Sequence, residues 1–156
     1  MRYRFPFLGI MNTQREKYWK EFQSEEGKEN SEDILLLAKE CICCKEREIW
    51  YVAMQVIKEN KKRLKKEDLG FIKEMIVKSD WWDLVDSIAS NATGALCLNY
   101  PELRLEVNSR IESENFWLRR SAIIYQLGYR LKTDETVLYY HILHTCREKE
   151  FLYENL

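Results

Sequence analysis

Apolar residues recur at three- and four-residue intervals along nearly the whole chain, and no stretch alternates for long enough to read as a convincing strand. The clearest helix spans Glu46 to Lys62, where Ile49, Trp50, Ala53, Met54 and Ile57 mark one face. A shorter one, Glu67 to Val77, turns Leu69, Ile72, Ile76 and Val77 inward. Upstream, Thr13 followed by Glu16 predicts a capping box that opens a helix to about Phe22, with Tyr18, Trp19 and Phe22 as its buried stripe. Ser24 to Asn30 is polar, contains Gly27 and reads as a loop. The next helix starts at Ser31-Glu32-Asp33 and runs through Leu35, Leu36, Ala38 and Ile42. Before Thr13, Pro6 and Gly9 argue against helix, although Arg2 to Ile10 is aromatic and apolar enough to look like the middle of something.

In the second half, Ser79 or Asp80 is expected to cap a helix that begins with Trp81-Trp82 and continues, with a bend at Asn91-Ala92-Thr93-Gly94, to Leu98. Tyr100-Pro101 breaks it, and Pro101 suits the first position of a segment reaching about Ile111. Ser113 or Asn115 then caps a helix through Phe116, Ala122 and Leu127, and Thr133 to Glu135 caps the last one. Some eight helices follow. Ile49 to Met54 resembles Trp117 to Ile123, and Ala53 and Ala122 are separated by about two helical-hairpin repeats. The expected fold class is therefore all-α, a curved solenoid of stacked helix pairs forming one domain over 1–156, with an irregular helical bundle as the alternative.

Five glycines and two prolines are too few to punctuate an all-β fold, which agrees with helices. The formal net charge of −1 gives no general attraction to polyanions, so any nucleic-acid surface must come from local clustering of cations. Lys58, Lys61, Lys62 and Arg63 form such a run, but at a helix C-terminus they also complement the helix dipole as a solvated face. Cys41, Cys43, Cys44, Cys97 and Cys146 are odd in number without framework spacing, so they read as reduced thiols of a cytoplasmic protein. The Cys-Ile-Cys-Cys cluster lacks paired ligand spacing, and His141 and His144 lie far away, so neither a metal nor a cofactor is expected. No apolar run approaches the ~20 residues of a membrane span.

The chemistry concentrates in Ser79-Asp80-Trp81-Trp82-Asp83-Leu84-Val85-Asp86. Residues four apart share a helix face, so Trp82 and Asp86 point the same way, while Trp81, Val85 and Ile88 or Ala89 form a more apolar stripe. An indole face and a carboxylate are thus presented together. The plainer alternatives are that Trp82 is core, that Asp86 is a surface carboxylate, and that Arg120 pairs with a nearby acid such as Glu114.

Phe7-Leu8-Gly9-Ile10, Glu46-Arg47-Glu48, Lys78 to Asp86, Tyr100-Pro101-Glu102-Leu103, Trp117-Leu118-Arg119-Arg120 and Lys132 to Glu135 together resemble the AlkD-type DNA alkylation repair family, in order and approximate spacing. The resemblance implies a HEAT-like solenoid holding duplex DNA. It also implies a monofunctional DNA glycosylase that removes cationic purines such as 3-methyladenine and 7-methylguanine. On it, Trp82 matches the active-site indole, Asp86 the catalytic carboxylate and Arg120 the active-site arginine. Lys78, Ser79 and Arg119, beside them in the matched motifs, are expected on the DNA-binding surface. Against the family pattern the chain looks short at both ends, lacking a first helix and C-terminal helices that carry another active-site Trp. That implies uncapped ends open to self-association, and makes a DNA-binding or scaffold module without the chemistry the alternative function.

Overall fold

The computed structural model describes residues 5–26 and 31–146, and among these there is no strand. Among the described residues nine α-helical segments follow one another: α1 (Asn12–Glu26), α2 (Ser31–Cys41), α3 (Arg47–Asn60), α4 (Leu69–Ser79), α5 (Trp82–Ile88), α6 (Gly94–Asn99), α7 (Arg104–Ser109), α8 (Phe116–Ile124) and α9 (Glu135–Thr145). The all-helical class is as expected. α5 and α6 are one rod interrupted by a π-helical turn, Ala89–Thr93, so the bend expected there is a widened turn and not a break. Its cause is local. Ser90 Oγ donates to the Asp86 carbonyl at 2.7 Å and Asn91 Nδ2 to that of Ser87 at 3.0 Å, and side chains that compete for helical carbonyls loosen the ladder.

The chain packs as two compact units, Met1–Arg63 and Leu64–Leu156. In the first, α2 lies along α3, and Trp19 of α1 packs on Val56 with Leu37 and Val52 beside it. The segment before α1 is stitched to the start of α3. Glu48, 4% exposed, accepts the backbone N–H groups of Leu8 at 3.0 Å, Gly9 at 2.9 Å and Ile10 at 3.2 Å. Burial by itself would raise that carboxyl, but the converging amides outweigh it and hold the group below the usual carboxylate range. Gly9 at φ +82° lets the three amides turn toward one carboxylate, a conformation that a side chain would strain.

Several local expectations change, among them the end of the first helix near Phe22 and a loop from Ser24, since α1 runs on to Glu26. α1 starts at Asn12, two residues before the start a Thr13 cap would set, so Thr13 lies inside it, and the Met11 N–H is taken by Gln14 Oε1 at 3.1 Å in place of a Thr13–Glu16 box. Of its aromatic stripe only Trp19 is buried, its Nε1–H bonded to Glu59 at 3.0 Å, while Tyr18 and Phe22 remain exposed. Neither Ser79 nor Asp80 caps α5, whose N-cap is Trp81 in extended backbone, without a side-chain bond.

In the second unit Ile72, Met75, Ile76, Leu84, Val85, Ile88, Leu96, Val107 and Ala122 form the core, each at most 2% exposed. The caps at Asn115 and Asp134 form as expected: Asn115 Oδ1 accepts from Trp117 and Leu118, and Asp134 Oδ1 from Val137. His141 of α9 is 1% exposed, with Nδ1 3.0 Å from the Ala122 carbonyl. Burial pushes its imidazole below the ordinary 6.5, against the pull of that carbonyl. The unfolded chain therefore takes up a proton near pH 6.5 that the folded chain refuses. Stability is complete above that pH and is lost as pH falls toward the depressed folded value. Thermal melts from pH 7 down to roughly pH 5 should show a decline in wild type that flattens in His141→Gln.

Candidate active site

Three helices supply the residues. α4 ends at Asp80, whose φ of 45° and ψ of 28° place it in the left-handed region where helices commonly stop. Trp81 returns to extended backbone and α5 begins at Trp82. Because Leu84, Val85 and Ile88 are buried against α4 and α8, the other side of α5 faces out. Trp82 is accordingly 48% exposed. The indole is not core, and Asp86, one turn on, shares its face.

α8 is held by its buried Leu118, Ser121 and Ala122, which turn Arg120 toward α5. There it meets Asp86 in a two-point contact, Nε to Oδ1 at 2.6 Å and Nη2 to Oδ2 at 2.8 Å. The partner is thus Asp86 and not Glu114, whose carbonyl goes to Arg119. Side-chain exposures of 26% for Arg120 and 31% for Asp86 make this a half-buried pair, where fork-to-fork geometry counts for more than in a surface contact. Hydrogen bonding to Asp86 raises the proton affinity of the Arg120 guanidinium, with burial opposing it. The contact uses one edge of the guanidinium, and the Nη1 and Nη2 donors of the other edge remain to be spent.

The remaining expected positions divide. Lys78 is exposed and pairs with Glu74 at 2.5 Å. Ser79 is buried and donates to the Met75 carbonyl at 2.6 Å, and Arg119, 7% exposed, gives Nη1 to the carbonyls of Ser113 at 2.7 Å and Glu114 at 2.9 Å. Both serve to hold helix ends. Trp81 is half-buried, whereas Trp82 is exposed.

One contact has no counterpart in the sequence reading. The Trp117 indole N–H donates to Asp80 Oδ1 at 3.1 Å, across thirty-seven positions of chain. The available signal was weak: an indole on the first turn of α8 needs an acceptor, but nothing in its neighbourhood of sequence names which.

Among the described residues no three His, Cys, Asp or Glu converge as metal ligands. Cys43 and Cys44 are exposed, whereas burial pushes the thiols of Cys41 and Cys97 up to about 11. No described helix is long and apolar enough to cross a membrane. A cavity of about 260 Å³ belongs to the first unit, lined by Ile10, Tyr18, Trp19, Phe22, Leu37 and Val52 among others, and holds none of the residues just named. Trp82 is exposed and Asp86 and Arg120 are partly exposed, so all three can be reached from solvent.

A family model described as DNA alkylation repair enzyme matches residues 1–154. The chain belongs to this family. It is also similar to a solved structure described as a predicted DNA alkylation repair enzyme from Enterococcus faecalis, with a TM-score of 0.83 and 26% identity, over 96% of this chain and 70% of that one. No curated protein matches it. Membership in a family of DNA alkylation repair enzymes makes DNA the expected partner.

Proposed function

We propose that this DNA alkylation repair protein hydrolyses the N-glycosidic bond of cationic alkylated purines, 3-methyladenine and 7-methylguanine, in duplex DNA. The reading rests on the Asp86–Arg120 contact one helical turn from the exposed Trp82. An alkylated purine already carries positive charge and leaves without a strong acid, so the transition state is an oxocarbenium-like sugar beside a departing purine. What it requires is stabilisation of cations. The Trp82 ring gives a cation a face worth ~0.5–2 kcal/mol as water is excluded. Asp86 stabilises the sugar cation and orients or deprotonates the attacking water, and Arg120, pinned to Asp86 by one edge, offers the other to a backbone phosphate. The exposure of all three residues lets the duplex reach them, and the family resemblance implies that the damaged base need not be flipped into a deep pocket.

Incubation with methylated duplex DNA should release free 7-methylguanine, measured chromatographically. Trp82→Ala should slow that release on the order of tenfold or more, as the loss of a desolvated cation–π contact implies, with the fold intact by circular dichroism. A well-folded wild type that binds duplex in a salt-dependent way and releases no base would reject the glycosylase and leave a DNA-binding module.

A further inference from the structure

We propose that Asp80 is a positioning residue that sets the Trp82 indole for the reaction, acting through its bond to Trp117; the inference rests on the glycosylase reading above. Asp80 occupies left-handed backbone between α4 and α5, at φ 45°. Glycine is the residue that such a helix stop favours, because a side chain there costs free energy. A carboxylate in its place calls for something a glycine lacks, and here Oδ1 accepts the Trp117 indole N–H at 3.1 Å.

The placement of that bond gives it meaning. Trp117 and Arg120 are three apart on α8 and lie on one side of it. Arg120 grips Asp86 in the second turn of α5, and Trp117 grips the residue just before the extended Trp81. Trp82, the first residue of α5, thus lies in sequence between two ties to the same helix. The N-cap gives α5 no side-chain hydrogen bond, and beside the local bond from the Leu84 N–H to Asp83 Oδ1 at 2.7 Å the entry is tied to α8 through Asp80 and Trp117. Phe116 meets the Trp117 ring edge-on, with centroids 4.9 Å apart, and this restricts the donor. Loss of the upper tie releases the first turn of α5, where the indole sits, and leaves the Asp86–Arg120 pair in place. The cost therefore falls on the chemical step and not on duplex affinity.

The test is a set of variants read by single-turnover base release and by duplex binding. Asp80→Ala should slow release on the order of tenfold, given how steeply rate depends on placement of the reacting groups, with the dissociation constant within about twofold of wild type. Asp80→Asn, which keeps an oxygen acceptor and tolerates the same backbone, should restore most of the rate. Trp117→Phe should reproduce the loss, and the double variant should be no slower than either single one, since both remove one interaction. An unchanged rate in Asp80→Ala, or losses that multiply in the double variant, would overturn the proposal. If wild type releases no base, the glycosylase reading has failed instead. The bond is then read directly: the Trp117 indole proton should exchange with solvent more slowly in wild type than in Asp80→Ala, and equal exchange would overturn it.

Discussion

Asp86→Asn is expected to reduce base release by about 10²- to 10³-fold, the range lost when a preorganised electrostatic group leaves an active site, while duplex affinity holds or rises. The second half of that expectation separates chemistry from binding. Asparagine preserves the shape and one acceptor for Arg120 but removes the charge that stabilises the sugar cation and activates water. It also weakens the hold on the guanidinium now bonded at 2.6 and 2.8 Å, freeing donors for phosphate. The half-buried pair loses about 1.5–3 kcal/mol of folding stability, the worth of a hydrogen bond to a charged group. Single-turnover kinetics on methylated duplex, with binding to undamaged duplex and a thermal melt, measure all three. Retained rate in the variant would remove Asp86 from the chemistry.

The second large effect concerns Gly94→Ala, which should destabilise the Leu64–Leu156 unit by roughly 1–3 kcal/mol and slow base release with it. Alanine is the better helix former by ~1 kcal/mol, so propensity alone gives the opposite sign. Sterics decide. A Cβ on Gly94 would stand 2.4 Å from the Tyr125 carbonyl oxygen, which is backbone at the end of α8 and cannot turn aside. The Gly94 carbonyl also accepts the buried Tyr129 hydroxyl at 2.7 Å, a bond that any shift of α6 disturbs. Because α6 continues from the π turn after Asp86, and α8 carries Arg120, separating them at Gly94 strains the contact between that pair. Calorimetric melts should place the variant's transition several degrees lower, and a variant as stable as wild type would show that the backbones part without cost.

Much of the fold was readable because the helix period and helix caps are local. The π turn was foreshadowed by Asn91-Ala92-Thr93-Gly94, and the caps at Asn115 and Asp134 lie within three residues of the amides they satisfy. Periodicity misled where a helix is covered on one narrow side only, as at Tyr18 and Phe22. Ser79 and Arg119 show the same limit from the polar side. Motif position brought them near the site, but each is within reach of backbone carbonyls on its own or a neighbouring turn, and burial makes those bonds obligatory.

The sequence alone determined the helical class, the family resemblance, and the shared face of Trp82 and Asp86, since four residues of helix bring side chains together whatever the rest of the chain does. Only the tertiary structure decided that Trp82 stands exposed, that Arg120 pairs with Asp86 and not Glu114, that Asp80 is tied to Trp117, and that Gly94 must remain without a side chain. Each depends on how α8 lies against α4, α5 and the rod that follows. That packing is set by the summed burial of Leu84, Val85, Ile88 and Ala122, which no short stretch of sequence specifies.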